Sequence, residues 1–162
     1  MKQLMMRLLS ELIKDSKRSD RELAKVLGVS QPTVSRIRSK LVKDGFVKEF
    51  TIIPDFVKMG FEILAITSGK YRVVRSKDVV EKGQKWVNKN PCIIFASQCQ
   101  GGGKDGLLIS IHRDYADYTR FLNDLGKEMG GLIENTENLL INLKGFIAKP
   151  LSLSYITKLF EE

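Results

Sequence analysis

The chain has 162 residues, of which 43% are hydrophobic, so it can form one or two small domains and is not a disordered chain. Its formal net charge of +8 makes a polyanion such as nucleic acid a natural partner. Its apolar runs are far shorter than the ~18 residues that span a bilayer, and no export signal is recognisable, so we expect a cytoplasmic protein without a membrane partner.

The positive charge is concentrated near the N-terminus. Residues 1–62 contain 13 Lys and Arg against 8 Asp and Glu, a net charge of +5, whereas residues 63–162 contain 14 against 11, a net charge of +3. The first third of the sequence is therefore the expected contact region for a polyanion.

Cysteine and histidine are scarce. The chain contains only Cys92, Cys99 and His112. Because a structural zinc site needs about four such ligands, we expect two reduced, buried cysteines, no metal site and no cofactor.

Three amphipathic helices are predicted in the first 45 residues. The first has an apolar stripe at helical spacing, formed by Leu4, Met5, Leu8, Leu9, Leu12 and Ile13. Ser19 and Glu22 have the spacing of a capping box that begins the second helix, and Gly28 is placed to end it. Ser30 is the expected N-cap of the third helix, with Pro32 in its first turn. Two helices joined by a short turn predict a helix-turn-helix.

Residues 46–53, FVKEFTII, follow the third helix and are rich in aromatic and β-branched side chains. This composition predicts a strand, which would make the motif a winged helix-turn-helix. Residues 1–60 are then a DNA-binding domain.

The second half of the chain alternates strand and helix patterns. We predict strands at 61–66 (continuing to about Val74), 92–99, 107–112 and 138–143, helices at 77–88 and 115–129, and a glycine-rich hairpin at 101–106. This β-α-β-β-α-β order is ferredoxin-like, so the fold class is α+β. The second domain spans 61–162 and includes an apolar tail that should pack on the sheet or on a partner. Both helices lie on one sheet face, so we expect a second copy to cover the other.

The third predicted helix has polar and basic side chains on its outer surface and few acids to balance them. In a helix-turn-helix, the first turns of the second helix of the motif reach base edges in the major groove. We therefore predict DNA contacts from Gln31, Pro32, Thr33, Ser35 and Arg36 at the bases, and from Ser30, Ser39, Lys40 and Lys43 at the phosphates. An ordinary solvated helix face is the alternative. Arg38 could instead lie along the core edge and stabilise packing.

Residues 19–45 carry a motif that resembles the helix-turn-helix of the Lrp/AsnC (feast/famine) regulators. Residues 46–61 are similar to that family's wing and hinge, and the β-α-β-β-α-β segment resembles its regulatory domain. The sequences of residues 52–56, IIPDF, and 62–66, EILAI, resemble those of an archaeal branch of the family. The resemblance implies a sequence-specific DNA-binding transcriptional regulator that is dimeric or larger and is not an enzyme. One departure, Ile37 preceding Arg38, implies a slightly rotated or divergent recognition helix.

The resemblance also implies an effector site. The family has a Gly-x-x-Asp turn before its third regulatory strand, near a pocket between subunits, and residues 102–105 match it. In that role Gly102 and Gly103 would allow close backbone approach, and Asp105 would accept a hydrogen bond from the ammonium group of an effector such as an amino acid. A tight hairpin without a ligand is the alternative.

Two other functions stay open. Sirohaem decarboxylases share this architecture and need a histidine beside a tetrapyrrole, for which His112 is the single candidate. The sequence offers no paired catalytic histidines and no nucleophile constellation. An effector-sensing assembly module with weak DNA contact is the other alternative.

Overall fold

A computed structural model describes residues 2–72 and 76–160. These residues form two compact units. One comprises the chain up to Ile53 together with the segment from Lys149 onward, and the other is Pro54–Ala148.

The first unit contains three helices, α1 (Lys2–Lys14), α2 (Asp20–Leu27) and α3 (Gln31–Lys43). The predicted capping box is confirmed, since Ser19 Oγ accepts from the Glu22 N–H and the Glu22 carboxylate accepts from the Ser19 N–H at 2.8 Å. The apolar faces of the three helices form one core, made of Met5, Leu8, Leu12, Leu23, Ala24, Leu27, Val34, Ile37 and Leu41. The helix-turn-helix is therefore present as predicted.

The predicted wing strand at 46–53 is wrong for this structure. The segment forms no strand and pairs with none in the described part of the chain, and its Phe46, Phe50 and Ile52 side chains are more than half exposed. Aromatic and β-branched residues favour a strand only where a neighbouring strand supplies the ladder hydrogen bonds.

The C-terminal tail belongs to the first unit. Leu153–Phe160 form a 3₁₀-helix that packs against α1. Its Thr157 is buried and donates from Oγ1 to the Ser154 carbonyl at 2.7 Å. The sequence pattern predicts that this tail belongs to the second domain and packs on its sheet or on a partner. The structure groups it instead with the helices.

The second unit is the predicted α+β, ferredoxin-like arrangement. Strands β1 (Ile63–Tyr71), β2 (Ile93–Gly101), β3 (Lys104–His112) and β4 (Ile133–Asn142) form one antiparallel sheet in the order β2-β3-β1-β4. The first strand continues past Ile66 to Tyr71, as predicted, and the predicted end at Val74 lies outside the described residues. Helices α4 (Lys77–Lys89) and α5 (Tyr115–Met129) contribute to a core made of Ala65, Trp86, Tyr118, Phe121, Leu125 and Met129.

Side chains on the opposite sheet face are apolar and aligned. Because Ala65 lies in the core beneath the helices, its neighbours Leu64 and Ile66 point to the other face. Register places Leu139, Ile66, Ile109 and Phe95 in one row across β4, β1, β3 and β2. Leu139 is 67% exposed and Phe95 is 53% exposed. A sheet face of this kind is unusual for a protein that acts as a monomer.

Candidate nucleic-acid interface

The turn before α3 fixes how that helix begins. Gly28 has a φ of 69°, in the left-handed region, and its N–H donates to the Ala24 carbonyl. Ser30 is the N-cap, and its Oγ accepts from the Thr33 N–H at 3.4 Å and lies 2.8 Å from Thr33 Oγ1. Pro32 sits in the first turn, which contains no acidic residue. The positive end of the helix dipole is thus not neutralised by a carboxylate of its own first turn.

The two faces of α3 are clearly separated. Val34, Ile37 and Leu41 are at most 5% exposed and lie in the core of the first unit. The opposite face carries the predicted contact residues, which are exposed except for the partly buried Thr33: Gln31, Pro32, Thr33, Ser35, Arg36, Ser39, Lys40 and Lys43. None of these side chains is therefore part of the hydrophobic core.

The cations on this face differ in their pairing. No ion pair with the described residues is found for Arg36 or Lys43, whereas Lys40 Nζ lies 3.6 Å from Asp44 Oδ2. Exposed pairs of this type are worth little, so Lys40 can exchange Asp44 for another anion at small cost. Arg36, Lys40 and Lys43 together leave the exposed side of α3 positively charged.

Arg38 has a structural role. Its Nε lies 2.8 Å from Asp20 Oδ1, and its Nη2 donates to the Arg18 carbonyl at 3.0 Å. Both contacts join α3 to the beginning of α2 across the motif. This geometry agrees with the packing alternative raised from the sequence, and it follows from the position of Arg38 beside buried Ile37.

Sequence reasoning missed two cations on α2. Arg21 and Lys25 are exposed and lie four residues apart, so they share one face of the first helix of the motif. In helix-turn-helix proteins that helix crosses the DNA backbone. Their i, i+4 spacing was the signal that could have identified them as further candidate phosphate contacts.

The glycine-rich hairpin separates the predicted effector residues. Gly102 and Gly103 have φ values of 57° and 70° and line a shallow depression with Lys70, Lys104 and Glu137. Asp105 does not line it, because its Oδ2 accepts from the Tyr71 N–H at 3.0 Å. Asp105 therefore ties β3 to the end of β1, and only its other oxygen is available to a ligand.

His112 is a core residue. It is 1% exposed, its Nε2 lies 2.8 Å from Ser110 Oγ, and its ring contacts Tyr118 and Phe121. Burial lowers the pKa of His112, and the carboxylate of Asp117, 3.8 Å from Nδ1, opposes that shift. A neutral, enclosed imidazole is poorly placed to meet a tetrapyrrole.

The remaining candidate groups have no evident chemistry. Cys92 and Cys99 are free thiols, and burial raises the pKa of Cys92, which keeps it protonated. Residues 2–72 and 76–160 contain no cluster of side chains suited to a metal ion. No helix within these residues is long and apolar enough to cross a bilayer.

Comparison by sequence identifies relatives of this chain. Residues 1–48 match a family model described as winged helix-turn-helix DNA-binding. The HTH-type transcriptional regulator PF1734 of Pyrococcus furiosus is 34% identical over 121 residues, covering 74% of this chain and 77% of that protein. The regulator PF1231 of the same organism is 33% identical over 76 residues, 47% of this chain. In that case the chain spans about half, 51%, of the relative's length.

Comparison with solved structures extends the likeness to nearly the whole chain. The transcriptional regulator NMB0573 from Neisseria meningitidis, solved as a complex with L-Met, gives a TM-score of 0.80 at 17% identity, covering 93% of each chain. An AsnC family transcriptional regulator from Agrobacterium tumefaciens gives 0.77 at 21% identity, covering 94% of this chain and 97% of that one. At these identities the likeness establishes the fold.

Proposed function

Because the chain belongs to the Lrp/AsnC family of HTH-type transcriptional regulators, we propose that it recognises specific DNA sequences through the outer face of α3. The chain is a regulator with a DNA-binding motif and not an enzyme, since its relatives are named as transcriptional regulators. A regulator that acts on DNA would work in the cytoplasm, as expected from the sequence.

The separation of the two faces of α3 is the observation that carries the proposal. The side chains at the beginning of its exposed face suit base edges, because Gln31 can bond adenine and Arg36 can bond guanine in bidentate fashion. Pro32 and the Thr33 methyl group can touch a thymine methyl, and Ser35 can bond a base of either kind. These five residues form the proposed base-reading set.

The residues proposed to contact phosphates surround this base-reading set. Lys40 and Lys43 lie further along α3, with Ser39 beside Lys40, while the Ser30 hydroxyl lies at the helix N-terminus where phosphates bind well. The exposed Arg21 and Lys25 of α2 extend the cationic surface. Each phosphate neutralised releases counterions, so affinity should fall steeply as salt rises.

A homodimer, or a larger assembly built from dimers, is the proposed active form. The apolar row across the sheet needs a cover, and a two-fold partner presents an identical row. A dimer would place two recognition helices on half-sites about one helical turn apart.

We also propose that a small effector binds at the hairpin. The neighbour from Neisseria meningitidis was solved with L-Met. In this chain the exposed backbone of Gly102 and Gly103 and the second carboxylate oxygen of Asp105 would receive such a ligand. Asp105→Asn keeps the acceptor for the Tyr71 N–H and removes the charge, so it tests the ammonium contact without breaking the β1–β3 connection.

Selection of bound duplexes from a random pool, at two salt concentrations, tests the DNA proposal. Wild type should enrich one motif. Arg36→Ala should lose preference at one base pair per half-site, worth ~1–3 kcal/mol, because the bidentate contact is removed. Lys127→Ala, which removes an exposed cation on α5, is the matched control and should select the wild-type motif.

Two outcomes would contradict the proposal. The first is that Arg36→Ala and wild type enrich the same motif with equal affinity. The second is that wild type binds no duplex in a salt-dependent manner, which would favour an assembly module with weak DNA contact.

A further inference from the structure

The second unit contains a partly open cavity that the DNA proposal does not use. Its volume is about 380 Å³, within the range of small-molecule sites. It lies between the helices and the sheet, with a lining contributed by α4, α5 and all four strands. The hairpin residues Gly102, Gly103 and Asp105 are not part of the lining, so this cavity is separate from the proposed effector contact.

The described lining of this cavity carries no ionisable acid or base apart from the Tyr71 phenol. Its apolar wall includes Leu108, Leu125 and Met129, and its polar groups are amides and hydroxyls such as those of Gln84 and Gln98. An ammonium or carboxylate group placed there would lose its hydration without gaining an opposite charge. The cavity therefore disfavours charged ligands and zwitterionic amino acids.

Trp86, one of the lining residues, carries an unused hydrogen-bond donor. The residue is 5% exposed, and its Nε1–H has no acceptor among the described residues. One side of the indole is fixed in the core, where its ring lies 5.7 Å from that of Phe121. Buried donors nearly always have a partner, so a donor without one at a cavity wall points to an acceptor that arrives from outside.

Glycine at position 83 helps to keep the cavity open. Gly83 lies inside α4, where glycine is a poorer helix former than alanine. A Cβ built at this position would meet only Met129 Cε and Tyr71 Oη, both at 3.9 Å, so packing does not require glycine. The missing side chain leaves space that the cavity occupies.

We propose that this cavity binds an uncharged small molecule with an apolar body and a carbonyl or similar acceptor that bonds the Trp86 indole N–H. This site and ligand class differ from the hairpin effector site. The inference does not depend on DNA binding.

The test uses the fluorescence of Trp86, which is the only tryptophan in the chain and reports directly on the cavity wall. Full-length protein is titrated with a panel of neutral lactams and N-acetylated amides, beginning with ε-caprolactam, and with 6-aminohexanoate as the zwitterionic counterpart. We expect a saturable change in emission with at least one neutral compound and none with 6-aminohexanoate. No saturable response to any neutral member, or an equal response to the zwitterion, would overturn the proposal.

Two leucine variants locate the binding. Gly83→Leu fills the cavity and should abolish the response. Gly126→Leu is its matched control, since Gly126 also lies inside a helix, has nothing within 4 Å of a built Cβ and does not line the cavity. Circular dichroism establishes that both variants are folded. Wild-type affinity in folded Gly83→Leu would show that the ligand binds elsewhere and would defeat the proposal.

Trp86→Phe tests the hydrogen bond by calorimetry. It keeps an aromatic ring but removes the N–H, so affinity should fall by roughly 3- to 10-fold. Unchanged affinity would rule out the indole donor. Duplex binding, measured on the same Gly83→Leu preparation, should equal that of wild type, so a failed cavity proposal is distinguishable from a failed DNA proposal.

Discussion

Arg36 and Arg38 lie two positions apart on α3 and have different surroundings. Arg36 is exposed, whereas Arg38 bonds the Arg18 carbonyl and lies 2.8 Å from the Asp20 carboxylate. A helix turns 200° over two residues, so neighbouring arginines of this kind face different sides. Arg36 is the one proposed to contact DNA, whereas Arg38 holds the motif together.

Arg38→Ala should lower the free energy of unfolding by about 1–2 kcal/mol, because the hydrogen bond to the Arg18 carbonyl and the ion pair with Asp20 are lost and their partial exposure limits their worth. Chemical denaturation measures the change. Asp20→Asn should be destabilising in the same direction, and the double variant should show coupling between the two positions. Additive effects would contradict the pairing.

His112 makes stability depend on pH. Because burial holds its pKa below the usual value near 6.5, the unfolded chain binds a proton more readily than the folded chain. The stabilisation is fully present above pH 6.5 and should decline as the pH falls below it. Denaturation midpoints between pH 7.5 and 5 test this, and His112→Gln should flatten the dependence. An equally steep loss in that variant would assign the effect to another group.

At the scale of elements, local patterns predicted the helix-turn-helix well. The signals that begin and end its helices act within a few residues, and each has its expected role. These are Ser19 with Glu22, Gly28, and Ser30 with Pro32. The segment 46–53 failed because a strand depends on a partner that local sequence does not contain. The same limit applies to the cavity. The sequence around Gly83 and Trp86 does not indicate that space is left between α4 and the strands on which it packs.

The outer face of α3 was predictable from residue spacing, but contacts between residues far apart in the sequence were not. The 3.6-residue period places Val34, Ile37 and Leu41 inside and the polar residues outside. No period indicates that Asp105 bonds the Tyr71 N–H, which requires β1 and β3 to meet across 34 residues. Residue roles set by long-range pairing therefore needed the structure.

Lys43→Ala tests the proposed phosphate contact near the C-terminal end of α3. It should weaken binding to all duplexes alike and reduce the magnitude of the salt slope by about 1 per half-site, because one phosphate contact is lost. If each subunit of a dimer neutralises about four phosphates, the wild-type slope of log K on log salt is roughly −7. Affinity measured at four salt concentrations on two unrelated duplexes gives both quantities. Selective loss at one base pair would assign Lys43 to base reading.

At the scale of the whole molecule, the proposed dimer depends on the apolar sheet face. Leu139→Lys places a charge in the row formed with Ile66, Ile109 and Phe95. Leu139 is 67% exposed in the single chain, so the variant should fold normally. It should raise the dimer dissociation constant at least about 100-fold, because each subunit would bury an unpaired charge. Sedimentation analysis measures that constant.

Leu159→Lys is the matched control, since Leu159 is 72% exposed on the 3₁₀-helix of the other unit and undergoes the same change in polarity. It should leave the association unchanged. DNA binding then distinguishes a defect in dimerisation from a defect in base recognition. A monomer keeps its proposed α3 contacts but can bind only one half-site at a time. Leu139→Lys should therefore bind a duplex with two half-sites no more tightly than a duplex with one, whereas Leu159→Lys should retain the wild-type advantage of the double site. A Leu139→Lys protein that remains dimeric would show that the subunits meet through another surface.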